Sequence, residues 1–524
     1  MPLSDDVTTT RGHSLADIPR RSAARFPHKT AIVHRDTRLS FAAFDVLVDQ
    51  VAASLWADGL RPGDRMAILS HNCWHYPILV FGAARIGVVS VPINFMLTAP
   101  EIAFILNDCA PRALIVEGEL CGVADQAVEQ SSGAIEVPIV LSLSNIPPPV
   151  GWTEFDDWLA RSPDTPPPVT VADDDVIRIM YTSGTESRPK GAIHTSRTLM
   201  WQYMSCIVTG EMTADDIEVH ALPLYHCAQL DNFLITDLYL GATSIILDRP
   251  DPTAILDAIE REKATNLFCP PTVWGALLRS PALAGTDLTS LRKGYYGASA
   301  LPVEMLRELR RLAPELRLWN FYGQTEMASL ATVLGPDDQD TRGGSAGRPA
   351  LNVETQIVDD ADRVVESGVV GEIVHRSPQT TVGYHNLPDK TADAFAGGWF
   401  HSGDLGYFDD DGYLWVVDRK KDMIKTGGEN VASREVEEIL YAMDGVQEAA
   451  VFGVSDPVWI EAVTAVVVPV AGHTIDELAV LTHCRDHLAP YKIPKSVLFM
   501  DQLPKNPSGK ILKRVLRNTI NVRR

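Results

Sequence analysis

The stretch that decides the fold is YTSGTESRPKG, which runs from Tyr181 to Gly191. It follows the apolar run from Val176 to Met180, which predicts a buried strand. Small residues let backbone N–H groups approach an anion, hydroxyls add donors, and Lys190 adds a point charge. The pattern predicts a loop that holds a phosphate chain, although its glycine spacing differs from the GxxxxGK[ST] loop. A plain turn rich in Ser, Thr and Gly is the alternative.

Composition favours an ordinary globular protein with two regions of different charge. The 524 residues are 45% hydrophobic and 22% charged, and the net charge of −22 argues against non-specific binding of nucleic acid. Residues 419–524 carry 15 Lys and Arg against 13 Asp and Glu, whereas the rest of the chain carries 31 against 55. We therefore predict two domains, residues 1–418 and residues 419–524.

The cysteines and the apolar segments indicate a cytoplasmic protein. The 7 cysteines form no CxxC pair and their number is odd, which favours a reducing compartment and no structural zinc. The polar start of the chain predicts no signal peptide. The longest apolar stretch, residues 76–97, is interrupted by Pro77, Arg85 and Pro92, so no integral membrane segment is expected.

Helix and strand patterns alternate along most of the chain. Residues 40–115 and 176–335 show βα repetition, which predicts largely parallel sheets. Residues 350–418 are strand-rich, and the remainder has the pattern of a compact α+β domain. The predicted fold class is therefore α/β and α+β, with βα-layered sheets and a strand-rich subdomain in a large N-terminal domain, followed by a small C-terminal α+β domain.

Two further segments, GYYGASALP and NFYGQTE, have the pattern of strand-to-loop turns. In the first, Gly297 and Ala298 leave room for a flat ring against the backbone. In the second, Tyr322 offers an aromatic face for stacking, and Thr325 and Glu326 offer oxygen ligands suited to Mg²⁺. The plainer alternatives are a core tyrosine and a carboxylate at a helix start.

The C-terminal third adds more candidate polar residues. Asp404, in the stretch SGDLG, could accept two ribose hydroxyls, and Arg419 follows a predicted strand. Gly427 and Gly428 form a tight turn that lets a thin chain pass close to the backbone. Lys510 follows a stiff Pro-Ser-Gly turn that can aim it. A turn aspartate and solvated cations are the alternatives.

Two other patterns are rejected. The stretch GGSAG at residues 343–347 matches the G-x-S-x-G nucleophile motif, but no hydrophobic strand precedes it and no helix pattern follows it. His220 and His226 are not at metal-ligand spacing on a predicted helix, so they predict no zinc site.

Together these segments resemble the AMP-forming adenylating family, which includes acyl-CoA synthetases, adenylation domains of peptide synthetases and firefly-type luciferases. The resemblance covers roughly residues 15–520 in the same order. The stretches TGGENVASREVEEIL and YKIPK are typical of fatty and medium-chain acyl-CoA synthetases. The resemblance implies that the C-terminal domain is mobile, and that ATP, Mg²⁺ and either CoA or a carrier-bound phosphopantetheine are the cofactors.

The resemblance also implies a nucleotide site. Its catalytic residues would be Lys510, Thr185 and Glu326, with Glu326 holding Mg²⁺ and Lys510 stabilising charge as a carboxylate attacks the α-phosphate. The ATP-binding residues would be Thr182, Ser183, Gly184, Thr185 and Lys190 at the triphosphate, Gly297, Ala298, Ser299, Tyr322, Gly323 and Thr325 around the adenine, and Asp404 and Arg419 at the ribose.

The acid and thiol sites are implied in the same way. The acyl pocket would be lined by His226, Gln229, Leu230, Tyr296 and Gly323, and its mostly apolar walls favour an alkyl or alkenyl acid. Lys421 falls at the hinge, and the thiol acceptor would pass Gly427, Gly428, Trp459 and Tyr491. The chain departs from the usual pattern at Glu186-Ser187, at Ile460 in place of glycine, and at Ala432-Ser433.

The function predicted first is an ATP-dependent acid–thiol ligase that activates a fatty or medium-chain acid as an acyl-AMP, releases pyrophosphate and then forms a thioester, most simply with CoA. Loading of an acyl-carrier protein is the close alternative, because the nearly neutral C-terminal region suits either acceptor. A luciferase-like oxygenase and a non-enzymatic binding protein are more distant alternatives. A homodimer is compatible with these interpretations, but no motif indicates one.

Overall fold

A computed structural model describes residue 10 and residues 12–133, 135–143, 147–162, 165–182, 189–297, 301–426, 429–456, 458–505 and 511–523. These residues form two compact units. The first contains residues 1–354 and 376–396, and the second contains residues 355–375 and 397–524. The predicted domain boundary after residue 418 lies inside the second unit, and the position of a hinge there stays a prediction.

The first unit is built on two large sheets whose central strands are parallel. The strands of one sheet lie in the order Arg348–Pro349, Thr332–Leu334, Arg317–Tyr322, Lys293–Gly297, Asn266–Phe268, Ile217–His220, Thr243–Ile246, Thr30–His34 and Thr37–Ser40. Those of the other lie in the order Thr153–Glu154, Val137–Leu141, Ala113–Glu117, Arg65–Leu69, Val89–Pro92, Val176–Thr182 and Lys190–Thr195. The predicted βα layering is confirmed.

Helices cover these sheets, and their ends follow local sequence rules. Ser40 begins the helix Phe41–Ala57 by accepting a hydrogen bond from the backbone N–H of Ala43. The other helices of eight or more residues in this unit are Asp17–Arg25, His75–Arg85, Ala99–Cys109, Cys121–Glu129, Ser196–Thr209, Pro252–Glu262, Pro271–Leu278 and Val303–Leu312; shorter ones are Phe155–Ala160, Cys227–Gln229, Ile235–Leu240, Gln339–Arg342 and Pro388–Ala394.

The second unit contains two smaller sheets. The first has the strand order Glu354–Val358, Gly371–Arg376, Phe400–Phe408 and Leu414–Arg419, and the second has the order Glu429–Val431, Ile424–Thr426, Ile460–Pro469 and Val446–Asp456, with Ser496–Phe499 parallel to Ile460–Pro469. The helices Ser433–Tyr441, Glu477–His487 and Lys513–Arg523 accompany the second sheet. The strand-rich segment and the α+β end were both predicted.

Within the described residues, no helix combines the length and the apolar character needed to cross a membrane.

Candidate active site

The described part of the phosphate loop is its antiparallel stem. The strands Val176–Thr182 and Lys190–Thr195 pair so that Thr182 lies opposite Lys190 and Tyr181 lies opposite Gly191. The hydroxyl of Thr182 donates to the carbonyl oxygen of Lys190 at 3.4 Å. The ladder thus brings both ends of the loop together at the edge of the sheet. The strand before the loop was predicted from the sequence, whereas its antiparallel partner was not. Residues 183–188 lie outside the described residues, and with them the predicted ligands Ser183, Gly184 and Thr185.

Tyr384, which was not among the predicted site residues, joins the stem to Glu326. The hydroxyl of Tyr384 donates to Oε1 of Glu326 at 2.8 Å, and the ammonium of Lys190 lies 5.2 Å from the centre of the Tyr384 ring. Burial and the charge of Glu326 raise the pKa of Tyr384 well above its usual range, so this phenol is a hydrogen-bond donor at neutral pH. Tyr384 forms an isolated antiparallel β-bridge with Ala192, and the backbone N–H of His385 donates to the carbonyl oxygen of Gly191 at 2.8 Å.

Backbone contacts hold Glu326 from the same side. The N–H of Thr381 donates to the carbonyl oxygen of Glu326 at 2.7 Å, and Glu326 lies in the short 3₁₀ turn Thr325–Met327. The hydroxyl of Thr325 accepts a contact from the thiol of Cys227 at 3.4 Å. Glu326 and Thr325 therefore present oxygen donors of the kind that Mg²⁺ prefers, held by buried neighbours.

Two of the predicted adenine residues, Gly297 and Tyr322, lie at the carboxyl ends of two neighbouring parallel strands, where ligands of open α/β sheets bind. Gly297 pairs with Phe321, and a Cβ added to Gly297 would lie 2.5 Å from the carbonyl oxygen of Phe321. At Gly323 a Cβ would lie 2.2 Å from the carbonyl oxygen of Ser329. Only glycine fits at either position, and Tyr322, which precedes Gly323 in the chain, is half-buried.

The predicted acid-site residues fall into two groups. His226 begins a helical turn, and its Nδ1 accepts from the backbone N–H of Ala228 at 3.2 Å. Gln229, Leu230 and Tyr296 are fully buried. The Tyr296 hydroxyl donates to Gln339 at 2.7 Å, and the Gln229 amide is engaged by the protein itself. Their role as pocket walls stays a prediction.

A buried ion pair joins Arg178 to Asp231, the residue after Leu230 in the chain, and was not predicted from the sequence. Arg178 and Asp231 have side chains that are 0% and 1% exposed and are directly bonded, and the hydroxyl of Tyr203 donates to the same carboxylate oxygen at 3.0 Å. Desolvation raises the pKa of Asp231, and the Arg178 charge opposes that rise. Asp231 is therefore committed to the interior and offers no free charge to a substrate.

In the second unit, the two predicted ribose residues are neighbours. Asp404 and Arg419 lie directly opposite each other on paired strands, and Nε of Arg419 is 3.5 Å from Oδ1 of Asp404. An acceptor beside a donor suits a pair of hydroxyls. Asp418, the preceding residue, faces away and accepts from the backbone N–H of Ser433 at 2.6 Å. The hydroxyl of Ser433 donates to the same carboxylate oxygen at 2.8 Å, which explains the serine found at one of the unusual positions.

The predicted hinge and thiol residues occupy separate places in the second unit. Partial withdrawal from water, followed by the charge of Arg419, lowers the pKa of Lys421 to about 8. The ammonium of Lys495 lies 4.8 Å from the Trp459 ring centre, and that of Lys492 lies 5.7 Å from the Tyr491 ring centre. Each pair combines an aromatic face with a cation. Gly427 and Gly428 lie outside the described residues, as do Ala298, Ser299 and Lys510.

Family comparison gives the same assignment. The AMP-binding enzyme family matches residues 19–385, and the AMP-binding enzyme C-terminal domain matches residues 435–510. The chain is 38% identical to a feruloyl-CoA synthase of Amycolatopsis sp, covering 96% of this chain and 98% of that protein. It is 33% identical to the long-chain-fatty-acid–CoA ligase FadD13 of Mycobacterium tuberculosis, covering 95% and 97%.

A solved structure extends the likeness to three dimensions. The anthranilate CoA ligase AuaEII, solved in complex with anthranoyl-AMP, is 27% identical and superimposes with a TM-score of 0.89, covering 97% of each chain. The predicted family and fold are thereby confirmed, and the predicted use of ATP, Mg²⁺ and CoA is confirmed at the level of the family. The chain therefore belongs to the AMP-binding enzyme family, and within it to the AMP-forming acyl-CoA synthetases.

Proposed function

We propose that this enzyme converts an apolar monocarboxylic acid and ATP into an acyl-AMP and pyrophosphate, and then transfers the acyl group to CoA. The observation that carries the proposal is the contact chain from Lys190 through Tyr384 to Glu326. It joins the stem of a phosphate loop to a carboxylate suited to a divalent cation, although the two motifs are distant in the sequence. Such an arrangement suits a nucleoside triphosphate with its bound divalent cation.

The first step needs positioning and charge stabilisation rather than a protein base. A carboxylate oxygen of the acid forms a bond to the α-phosphorus, the bond from that phosphorus to the bridging oxygen breaks, and pyrophosphate leaves. Lys190 and Lys510 offset negative charge on the phosphates, and Asp404 with Arg419 orients the ribose. Glu326 and Thr325 would hold Mg²⁺, which when bound neutralises phosphate charge.

The second step needs a rearranged C-terminal region. The thiol sulfur attacks the acyl carbon, the bond to the AMP oxygen breaks, and AMP leaves. We place the hinge at Lys421, so that Lys510 withdraws and the Gly427-Gly428 turn guides the pantetheine chain. Trp459 with Lys495, and Tyr491 with its lysine neighbour, suit a flat base and phosphate groups of CoA.

The acid is best sought among aryl and arylpropenoic acids, with fatty and medium-chain acids as the second class. Likeness to a feruloyl-CoA synthase and to an anthranilate ligase supports the first class, and likeness to a long-chain ligase supports the second. Asp231 is neutralised by Arg178 inside the protein, so it cannot pair with the ammonium of an amino acid. An uncharged acyl group fits both observations.

Kinetics with a panel of acids test the proposal. The purified enzyme is assayed for CoA thioester formation with ferulate, indoleacetate, benzoate, decanoate and palmitate, with phenylalanine as the ammonium-bearing control. We expect the highest kcat/KM with an aryl acid and none with phenylalanine. A clear preference for decanoate or palmitate would move the acid to the fatty class, and thioester formation with none of them would contradict the proposal.

The acyl acceptor is tested in the same assay. We expect transfer to CoA, whereas transfer only to a phosphopantetheinylated carrier protein would replace CoA as the acceptor. Cytoplasmic localisation and a homodimer stay predictions, and gel filtration with light scattering measures the latter.

A further inference from the structure

A row of buried polar side chains lies behind the turn that carries His226. Glu218 and His220 point to the same face of their strand because they are two residues apart, and Asp237 faces them from the helix Ile235–Leu240. All three side chains are 0% exposed. Burial of this much polarity is costly unless the groups satisfy one another, so the arrangement needs an explanation.

Hydrogen-bond polarity fixes the direction of this row. The backbone N–H of Leu222 donates at 3.2 Å to Oε1 of Gln229, which must therefore be the amide oxygen. The Gln229 amide nitrogen then faces Nδ1 of His220 at 2.8 Å and donates to it. A neutral His220 consequently carries its proton on Nε2, which lies 3.3 Å from Oδ2 of Asp237.

The same polarity argues against a metal ion in this place. Glu218, His220 and Asp237 are ligand types, and their ligand atoms lie within 4.8 Å of one another. However, Nδ1 of His220 is occupied by an amide donor and Nε2 carries the proton, so the ring has no lone pair left for a cation. Burial, followed by the charge of Asp237, raises the pKa of Glu218 well above its usual range.

The row ends on the turn Leu222–His226, which is also held from its other side. The Asn72 amide donates to the carbonyl oxygen of Leu222 at 2.8 Å, and its Oδ1 accepts from the N–H of Leu224 at 2.8 Å. At the end of the turn, Nδ1 of His226 accepts from Ala228, so a neutral His226 also keeps its proton on Nε2. Nε2 of a neutral His226 is therefore a donor rather than an acceptor.

We propose that His220 and Asp237 are positioning residues that act through Gln229 on the turn Leu222–His226, and so set the affinity of the enzyme for its carboxylic acid. This inference rests on the proposed function, because His226 is predicted to meet the carboxylate end of the acyl pocket. Gln229 links the two parts: its oxygen holds the first residue of the turn and its nitrogen orients His220.

Steady-state pyrophosphate exchange separates positioning from a merely structural role. Gln229→Leu removes both amide contacts. We expect the KM for the acid to rise about tenfold, because roughly one of the two net hydrogen bonds is expressed in acid binding, while the KM for ATP changes less than twofold. Asp237→Leu should raise the KM for the acid in the same direction. Asp237→Asn retains an oxygen acceptor for His220 and should restore the KM to near the original value.

A matched core variant provides the control. Leu267→Ala, on the adjacent strand Asn266–Phe268, lowers stability without touching the row, so it should lower the unfolding temperature and leave both KM values unchanged. The positioning proposal is overturned if Gln229→Leu and Asp237→Leu affect the acid KM no more than Leu267→Ala does, or raise the ATP KM equally. Absence of acid-dependent exchange in the unmodified enzyme would instead overturn the proposed function, and this inference with it.

Discussion

Replacing Tyr384 by phenylalanine tests the contact that joins the phosphate loop to the carboxylate. The substitution removes one hydroxyl, which donates to Glu326 at 2.8 Å, and keeps the ring that Lys190 faces at 5.2 Å. A hydrogen bond to a charged acceptor contributes about 1.5–3 kcal/mol. If the whole of that is expressed in the transition state, kcat/KM for ATP falls roughly 10- to 150-fold.

The assay is acid-dependent ATP–pyrophosphate exchange at saturating acid, with ATP and Mg²⁺ varied separately. We expect Tyr384→Phe to lower kcat/KM for ATP and to require more Mg²⁺ for half-maximal rate, with an unchanged unfolding temperature. Tyr239→Phe is the matched control, because that hydroxyl contacts His13 at 3.1 Å, and it should leave the kinetics unchanged. A loss below twofold in Tyr384→Phe would refute the assignment of Tyr384 to the orientation of Glu326.

Three other substitutions test separate parts of the account. Burial, followed by the charge of Arg178, lowers the pKa of His194 to about 3. Below pH 6.5 the unfolded chain therefore binds a proton at His194 that the folded protein does not bind. The free energy of unfolding then falls by about 1.4 kcal/mol per pH unit until the pH reaches the folded-state pKa of about 3. His194→Phe should reduce this slope in urea unfolding between pH 4.5 and 7, and an unchanged slope would contradict it. Asp404→Asn should raise the KM for ATP about tenfold but hardly that for 2′,3′-dideoxy-ATP; equal effects would exclude a ribose contact. Ile460 has a φ of +70°, so Ile460→Gly should stabilise the protein by about 1 kcal/mol, and a lower unfolding temperature would be contrary evidence.

Features that depend on neighbouring residues were predictable from the sequence. The βα alternation, the strand before the phosphate loop and the turns at Gly297 and Gly323 follow from local periodicity and small residues, and the structure contains them. The pairing of Asp404 with Arg419 was implied by resemblance, and a single antiparallel ladder brings the two side chains together.

Features that depend on tertiary packing were not predictable. Tyr384 lies in an irregular segment with no periodic pattern, and it meets Glu326, 58 residues away, only because that segment pairs with the strand after the phosphate loop. Arg178 occupies a strand position that reads as core, and only the folded interior shows its partner Asp231. Such long-range polar contacts cannot be predicted from one sequence, because their partners are not separated by a characteristic number of residues.

Ile460 combines a β-branched side chain with a backbone conformation that favours glycine. The sequence has a β-branched residue at a position where the family pattern described above usually has glycine, and the structure has a positive φ at that position. A conformation suited to glycine is therefore retained although the side chain disfavours it. The neighbouring Trp459 is half-exposed beside Lys495, so the strained residue adjoins the surface assigned to the thiol acceptor.

We infer above all that this enzyme adenylates a carboxylic acid and that Lys510 stabilises the charge that develops. Acid-dependent exchange of labelled pyrophosphate into ATP measures that step alone, without CoA. We predict exchange that depends on an added aryl or fatty acid and that falls by at least a hundredfold in Lys510→Ala, while the thioester-forming step from supplied acyl-AMP is retained. Full exchange in Lys510→Ala, or no exchange with any acid in the unmodified enzyme, would contradict it.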